Sequence, residues 1–110
     1  MTDQTNRIAG SRIDVIDADD STSVGRSRSL SVARDDREKV LGVKSLSVGR
    51  KLTIQVGEEL EINVGQCRLV MKKDGTILIS GRDLSIDGSG KVTIKAASDI
   101  VLKGSKILQN

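Results

Sequence analysis

A valine recurs every eight residues at Val24, Val32, Val40, Val48, Val56 and Val64. A second apolar residue stands two places before most of these, giving the pairs Leu30/Val32, Leu46/Val48, Ile54/Val56 and Ile62/Val64, while Ser31, Ser47, Gln55 and Asn63 between them are polar. Alternation with period two marks a strand with one buried face, and because eight is even every repeat returns to that same face. A helix keeps a constant face over such a length only at spacings near seven or eleven. The pattern therefore predicts one short β-strand per octad with two inward side chains. Glycine follows the valine at Gly25, Gly49, Gly57 and Gly65. A corner is expected there, because glycine takes positive φ without steric cost.

Beyond Gly65 the pairs continue as Leu69/Met71, Ile77/Ile79, Leu84/Ile86, Val92/Ile94 and Ile100/Leu102, with one step of seven into Met71 and another into Ile86. A one-residue slip inside a strand would turn its core face outward, so both short steps are expected in corners. In this stretch the small residue falls two places after the pair, at Gly81, Gly88, Ala96 and Gly104, which predicts a different corner. Ten short strands follow, in a valine-glycine sector over 23–66 and a second sector over 67–110. Residues 1–22 lack the octad and read as a linker or appended segment, with a strand expected around Ile13 and Val15.

The fold class is thus all-β, and strand length narrows it further. A solenoid coil of one chain needs roughly twenty or more residues to close around its own core, whereas eight residues cover about one side of a triangle. Either one chain uses three octads per turn, or three chains each supply one side. The first arrangement would stand only about 16 Å high and the second about 48 Å, at about 4.8 Å per strand. The trimer is favoured, because a three-layer coil leaves most strands near an end with unpaired backbone groups. Composition agrees with a thin prism. The chain has no Phe, Trp, Tyr, Pro or His, and its hydrophobic fraction is 36%. Aromatic side chains dominate ordinary cores, and their absence suits an interior filled by Val, Ile and Leu from three directions.

The octads VGRKLTIQ VGEELEIN VGQ, followed by LVMKKDGTILISGRDLSIDGSGKVTIKAASDIVLKGSKILQN, resemble the C-terminal needle of VgrG spike proteins of type VI secretion systems. They resemble more distantly the β-helical needle of contractile-phage central spikes. The likeness covers about Val24 to Asn110, with KKDGT, DGSGK and KGSKILQN as its more specific part. It implies an intertwined homotrimeric triangular β-helix, a prism of octapeptide repeats. Its function would be that of a non-catalytic cell-puncturing shaft, made in the bacterial cytoplasm and driven into a target cell by a contractile apparatus. The trimer core would comprise the apolar pairs named above. The resemblance also implies a PAAR-type tip protein on the C-terminal end formed by Gly104, Ser105, Lys106, Ile107, Leu108, Gln109 and Asn110, with effector cargo as a further passenger. Open strand edges at such an end independently call for a cover, which backbone pairing would hold, with Ile107 and Leu108 as apolar contacts.

The octad VARDDREK departs from the pattern, placing Ala33 at the glycine position and Glu38 at the inward leucine position. A buried, unpaired Glu38 would be costly. A local bulge swinging Asp35, Asp36, Arg37 and Glu38 into solvent is the favoured expectation, and an axial polar layer is the alternative. The acidic group Asp17, Asp19 and Asp20 reads as a solvated connector, since it lacks the spaced ligands and terminal glutamate of an EF-hand. No metal or cofactor is expected.

Catalysis has little to draw on. The absence of histidine removes a principal component of acid–base chemistry, serine triads and common metal sites. A carboxylate pair could still serve glycoside hydrolysis, but a filled prism offers it no cleft. Cys67, the single cysteine, is expected as a small corner residue between the sectors. Charge is uneven. Residues 1–65 hold ten Lys/Arg and eleven Asp/Glu, and residues 66–110 hold eight and four, so the net +3 arises in the second sector. Lys91, Lys95, Lys103 and Lys106 could meet phosphate headgroups or an acidic partner, although lysines also keep stacked strands soluble. Without aromatics or a recognisable motif, nucleic-acid binding is not expected. No apolar run approaches the roughly twenty residues of a membrane helix, so any membrane crossing is expected to be mechanical. The competing reading is a cytoskeletal or adhesive β-solenoid whose open ends polymerise.

Overall fold

Strict alternation in Glu59–Val64, alternation broken only by Val70 in Cys67–Lys72, and the apolar run of Ile77–Ser80 each produce a strand. These are β1 (Glu59–Val64), β2 (Cys67–Lys72) and β3 (Ile77–Ser80), joined in the order β1-β2-β3 as an antiparallel meander. The computed structural model describes residues 3–109, and all regular secondary structure among them is β. The chain divides into two units, Met1–Leu46 and Ser47–Asn110, and the sheet belongs to the second.

Two different turns set the register of the sheet. Val64 pairs with Cys67, leaving Gly65 and Gln66 as a two-residue loop. Only Gly65 has positive φ, at 51°, the pattern of a II′ connection with glycine first. The step of seven into Met71 is absorbed here, in a turn, as the parity of the strands requires. The second turn is carried by the KKDGT segment. Lys72 N donates to Thr76 O at 2.9 Å, and Gly75 N donates to Lys72 O at 3.0 Å. Gly75 follows with φ 97°. This is a three-residue loop ending in a left-handed glycine. Asp74 Oδ1 accepts from Thr76 N at 3.0 Å and braces it.

The register sorts the side chains onto two faces. Leu60, Ile62 and Val64 oppose Met71, Leu69 and Cys67, and Leu69 and Met71 in turn oppose Ile79 and Ile77. One face is therefore wholly apolar apart from the thiol. The other carries Glu59, Glu61, Asn63, Arg68, Lys72 and Ser80 around Val70 and Leu78. There Glu61 accepts from Asn63 Nδ2 at 2.8 Å and lies 3.6 Å from Arg68 Nε. Val70, in the middle of the polar face, is the one buried hydrophobic side chain among the described residues.

Outside the sheet the octad survives as a rhythm of turns. The chain bends at Ala9–Gly10, Asp17–Ala18, Gly25–Arg26, Ala33–Arg34, Leu41–Gly42, Gly49–Arg50 and Gly57–Glu58, without a break in the spacing of eight. Bends resume at Arg82–Asp83, Ser89–Gly90, Ala97–Ser98 and Ser105, each just after one of the small residues Gly81, Gly88, Ala96 and Gly104. A Cβ on Gly88 would lie 2.8 Å from Val92 Cγ2 and 3.3 Å from Lys91 O, so a side chain there would require Val92 to shift.

Several expectations are corrected. Ladders form at three of the ten expected strands, and the remaining apolar pairs have no ladder within one chain. An octad is too short to coil back onto itself. The corner glycines Gly25, Gly49 and Gly57 do not adopt positive φ, and Ala33 and Leu41 occupy the equivalent corner. Cys67 is not in a corner but opens β2 opposite Val64. No strand forms at Ile13 and Val15, which stand 85% and 80% exposed. The periodic bends reach upstream of Val24 to Ala9, placing Ile8 and Ile16 at the valine position. From Ile8 to Val56 the residues at that position share one environment, 45–54% exposed, whereas the off-register Leu41 and Val43 are 91% and 87% exposed.

Candidate assembly surface

The apolar face of the sheet is the most distinctive chemical surface of the second unit. Leu60 and Leu69 are half-buried, and Ile62, Val64, Met71, Ile77 and Ile79 are exposed. Two shallow recesses lie along it. One, of ≈ 250 Å³, runs from Ile54 and Val56 to Leu60 and Met71, with Glu58, Lys72 and Lys73 at its rim. The other, of ≈ 200 Å³, is bounded by Ile62, Val64, Cys67, Leu69, Ile79 and Leu84. These residues include much of the predicted core.

The structure brings Ile62, Val64, Leu69, Met71, Ile77 and Ile79 together on one face. Leu30, Val32, Leu46, Val48, Ile54, Val56, Leu84, Ile86, Val92, Ile94, Ile100 and Leu102 are each exposed on the single chain. Of the predicted end residues, Gly104, Ser105, Lys106, Ile107, Leu108 and Gln109 are exposed and outside any strand, with a bend at Ser105. Asn110 lies outside the described residues. Sequence reasoning missed Leu60 as a member of the apolar face and Val70 as its buried counterpart. The alternation through Leu60, Ile62 and Val64 carried the first signal.

The polar chemistry is that of a solvated surface. Asp74 is held below its ordinary carboxyl range, first by the Thr76 backbone N–H, then by the Thr76 side chain and the Lys72 charge. Ion pairs join Arg12 to Asp14 at 2.8 Å, Arg37 to Asp35 at 3.6 Å and Lys44 to Glu38. Among the described residues no group of three or more His, Cys, Asp or Glu is placed to hold a metal ion, and no helix is long and apolar enough to cross a membrane.

The exposed area is too large for a chain that packs only on itself. It amounts to 12748 Å², against about 5,900 Å² expected of a compact monomer of this mass. With one buried apolar side chain among the described residues, hydrophobic burial within a single chain is small against the conformational entropy of ordering the backbone. Fold and surface together define an all-β chain with an exposed apolar face on its three-stranded sheet. The chain is 41% identical over 58 residues to the type VI secretion system spike protein VgrG1b of Pseudomonas aeruginosa, a match covering 53% of this chain and 8% of that protein. The resemblance to VgrG spike proteins therefore holds over about half of the chain. No protein-family model matches.

Proposed function

We propose that the chain forms the needle of a contractile secretion spike, a rigid homotrimeric β-prism that pierces target-cell envelopes and carries a tip protein or effector. The observation that carries this reading is the apolar octad stripe, left uncovered by its own chain on a backbone that turns every eight residues. Three copies winding around one axis would bury that stripe and supply ladder partners to the octads that have none within one chain. The similarity to a type VI secretion spike protein supplies the setting. In that setting the chain reaches its target through the secretion apparatus and contacts the membrane mechanically, without catalysis. Continuous ladders and a filled interior make such a shaft slow to unfold, as a part driven by an external contraction must be.

A PAAR-type tip protein covers the C-terminal end in this reading, with Ile107 and Leu108 as its apolar contacts and strand pairing as its main affinity. The test is binding of a PAAR-type protein to the intact chain and to a chain ending at Lys106, with assembly state checked in both. Binding by the intact form and loss by the shortened one is the expected result. Equal binding by both would remove the tip role from these residues.

A further inference from the structure

The stripe carries a second pattern, visible only once the structure fixes the phase of the octads. In β1 the inward residues are Leu60, Ile62 and Val64, so each octad has three stripe positions instead of two. The unbroken spacing of the bends carries this phase back to residue 9, through the irregular octad VARDDREK. The residue equivalent to Leu60 is then, in chain order, Arg12, Asp20, Arg28, Asp36, Lys44 and Leu52. Its charge alternates strictly through five octads, positive at Arg12, Arg28 and Lys44 and negative at Asp20 and Asp36, before leucine takes over. All five charged residues fall in the first unit.

Two ion pairs of that unit join stripe positions, and a third, Arg37 to Asp35, joins residues off the stripe. Arg12 pairs with Asp14, two residues on and on the same face of its octad. Lys44 pairs with Glu38 across the corner at Leu41–Gly42, joining stripe positions of successive octads. The regular corner spacing also removes the need for a bulge at Asp35–Glu38. The octad keeps its phase, and Glu38 meets Lys44 of the next octad.

We infer that Arg12, Asp20, Arg28, Asp36 and Lys44 form a charge code that sets the register in which copies of this chain associate. The inference rests on the reading that the occupant of the stripe is a second copy. Opposite charges across a ladder stabilise it and like charges destabilise it. A copy displaced by one octad sets four opposite-charge pairs side by side among these positions, and a displacement of three octads sets two. A copy in zero offset places like beside like at all five positions, and a displacement of two octads does so at three. The leucine octads that follow are interchangeable and cannot distinguish one offset from the next. The alternating charges supply that distinction, and repulsion at wrong offsets supplies the specificity.

Two variants of the full chain test this. In the first, Asp20→Lys with Asp36→Lys makes all five positions positive, so that no offset is favourable. In the second, Arg12→Asp, Asp20→Arg, Arg28→Asp, Asp36→Arg and Lys44→Asp invert every sign and keep the alternation. The unaltered chain and the inverted chain are each expected to form the same discrete multimer, while the all-positive chain loses it at low salt and regains part of it as salt screens the repulsion. When unaltered and inverted chains carrying different tags are unfolded and refolded together, odd offsets between them bring like charges into contact and even offsets bring opposite charges together. A mixed assembly is therefore expected only at an even offset, with cross-links between different octads from those of the pure assemblies. Mixed assemblies with the cross-links of the pure ones would overturn the charge code, as would an all-positive chain that assembles like the unaltered one. A monomeric unaltered chain would instead overturn the underlying reading of self-association.

Discussion

Asp74 and Gly75 show how single residues fix the second turn. Asp74 accepts from Thr76 N, and its carboxyl is held low by that bond. A carboxyl depressed by folding contributes stability that is present above its unfolded value, near 3.8, and lost as pH falls through the lower folded value. Titration of Asp74 followed by NMR should give a midpoint below 3.8, and Asp74→Asn should remove that part of the acid dependence. A midpoint at the ordinary value would mean that the turn does not hold the carboxylate. Gly75 has φ 97°, so Gly75→Ala should cost about 1–2 kcal/mol in denaturant unfolding. Gly49→Ala should cost less than about 0.5 kcal/mol, because Gly49 lacks positive φ, a Cβ there meets nothing within 4 Å, and the equivalent corner already holds Ala33.

Among the elements, the strands were legible from alternation, and their pairing was not. The pairs Ile62/Val64, Leu69/Met71 and Ile77/Ile79 stand out in the sequence as strands with a common inward face, and β1, β2 and β3 contain them in that phase. Antiparallel pairing depended on the Gly65–Gln66 and Lys73–Gly75 turns. The Asp-Gly pair in KKDGT is a recognised hairpin signal, and it was available to a local reading of the sequence. The upstream octads were hidden because isoleucine replaces valine at Ile8 and Ile16 and because Arg12, Asp14, Asp20 and Thr22 occupy their other stripe positions. Only the spacing of backbone bends exposes them. The corner glycines misled for a different reason: a residue that tolerates positive φ does not have to adopt it, and only Gly65 and Gly75 do. Gly88 is constrained by space instead. Gly88→Ala should destabilise by about 1–3 kcal/mol through overpacking against Val92, measured by thermal unfolding. A neutral result would show that Val92 can move aside.

For the molecule as a whole, the stripe is meaningful only if something covers it. Its members at the valine position from Ile8 to Val56 are about half-exposed on one chain, and the sheet adds an apolar face. Ile62→Asp places a carboxylate at the centre of that face and should abolish assembly, because a desolvated charge without a partner is not tolerated there. Cys67 offers a probe that requires no substitution. Its thiol is exposed on the single chain and stands opposite Val64 on the apolar face. A thiol reagent should therefore react slowly with the native assembly and rapidly after heat dissociation. The most direct test of shared burial is the native mass measured by light scattering across a range of concentrations. The account predicts one species of about 35 kDa, three times the 11.8 kDa chain, unchanged on dilution. A mass of 11.8 kDa, or a mass that rises continuously with concentration, would contradict it.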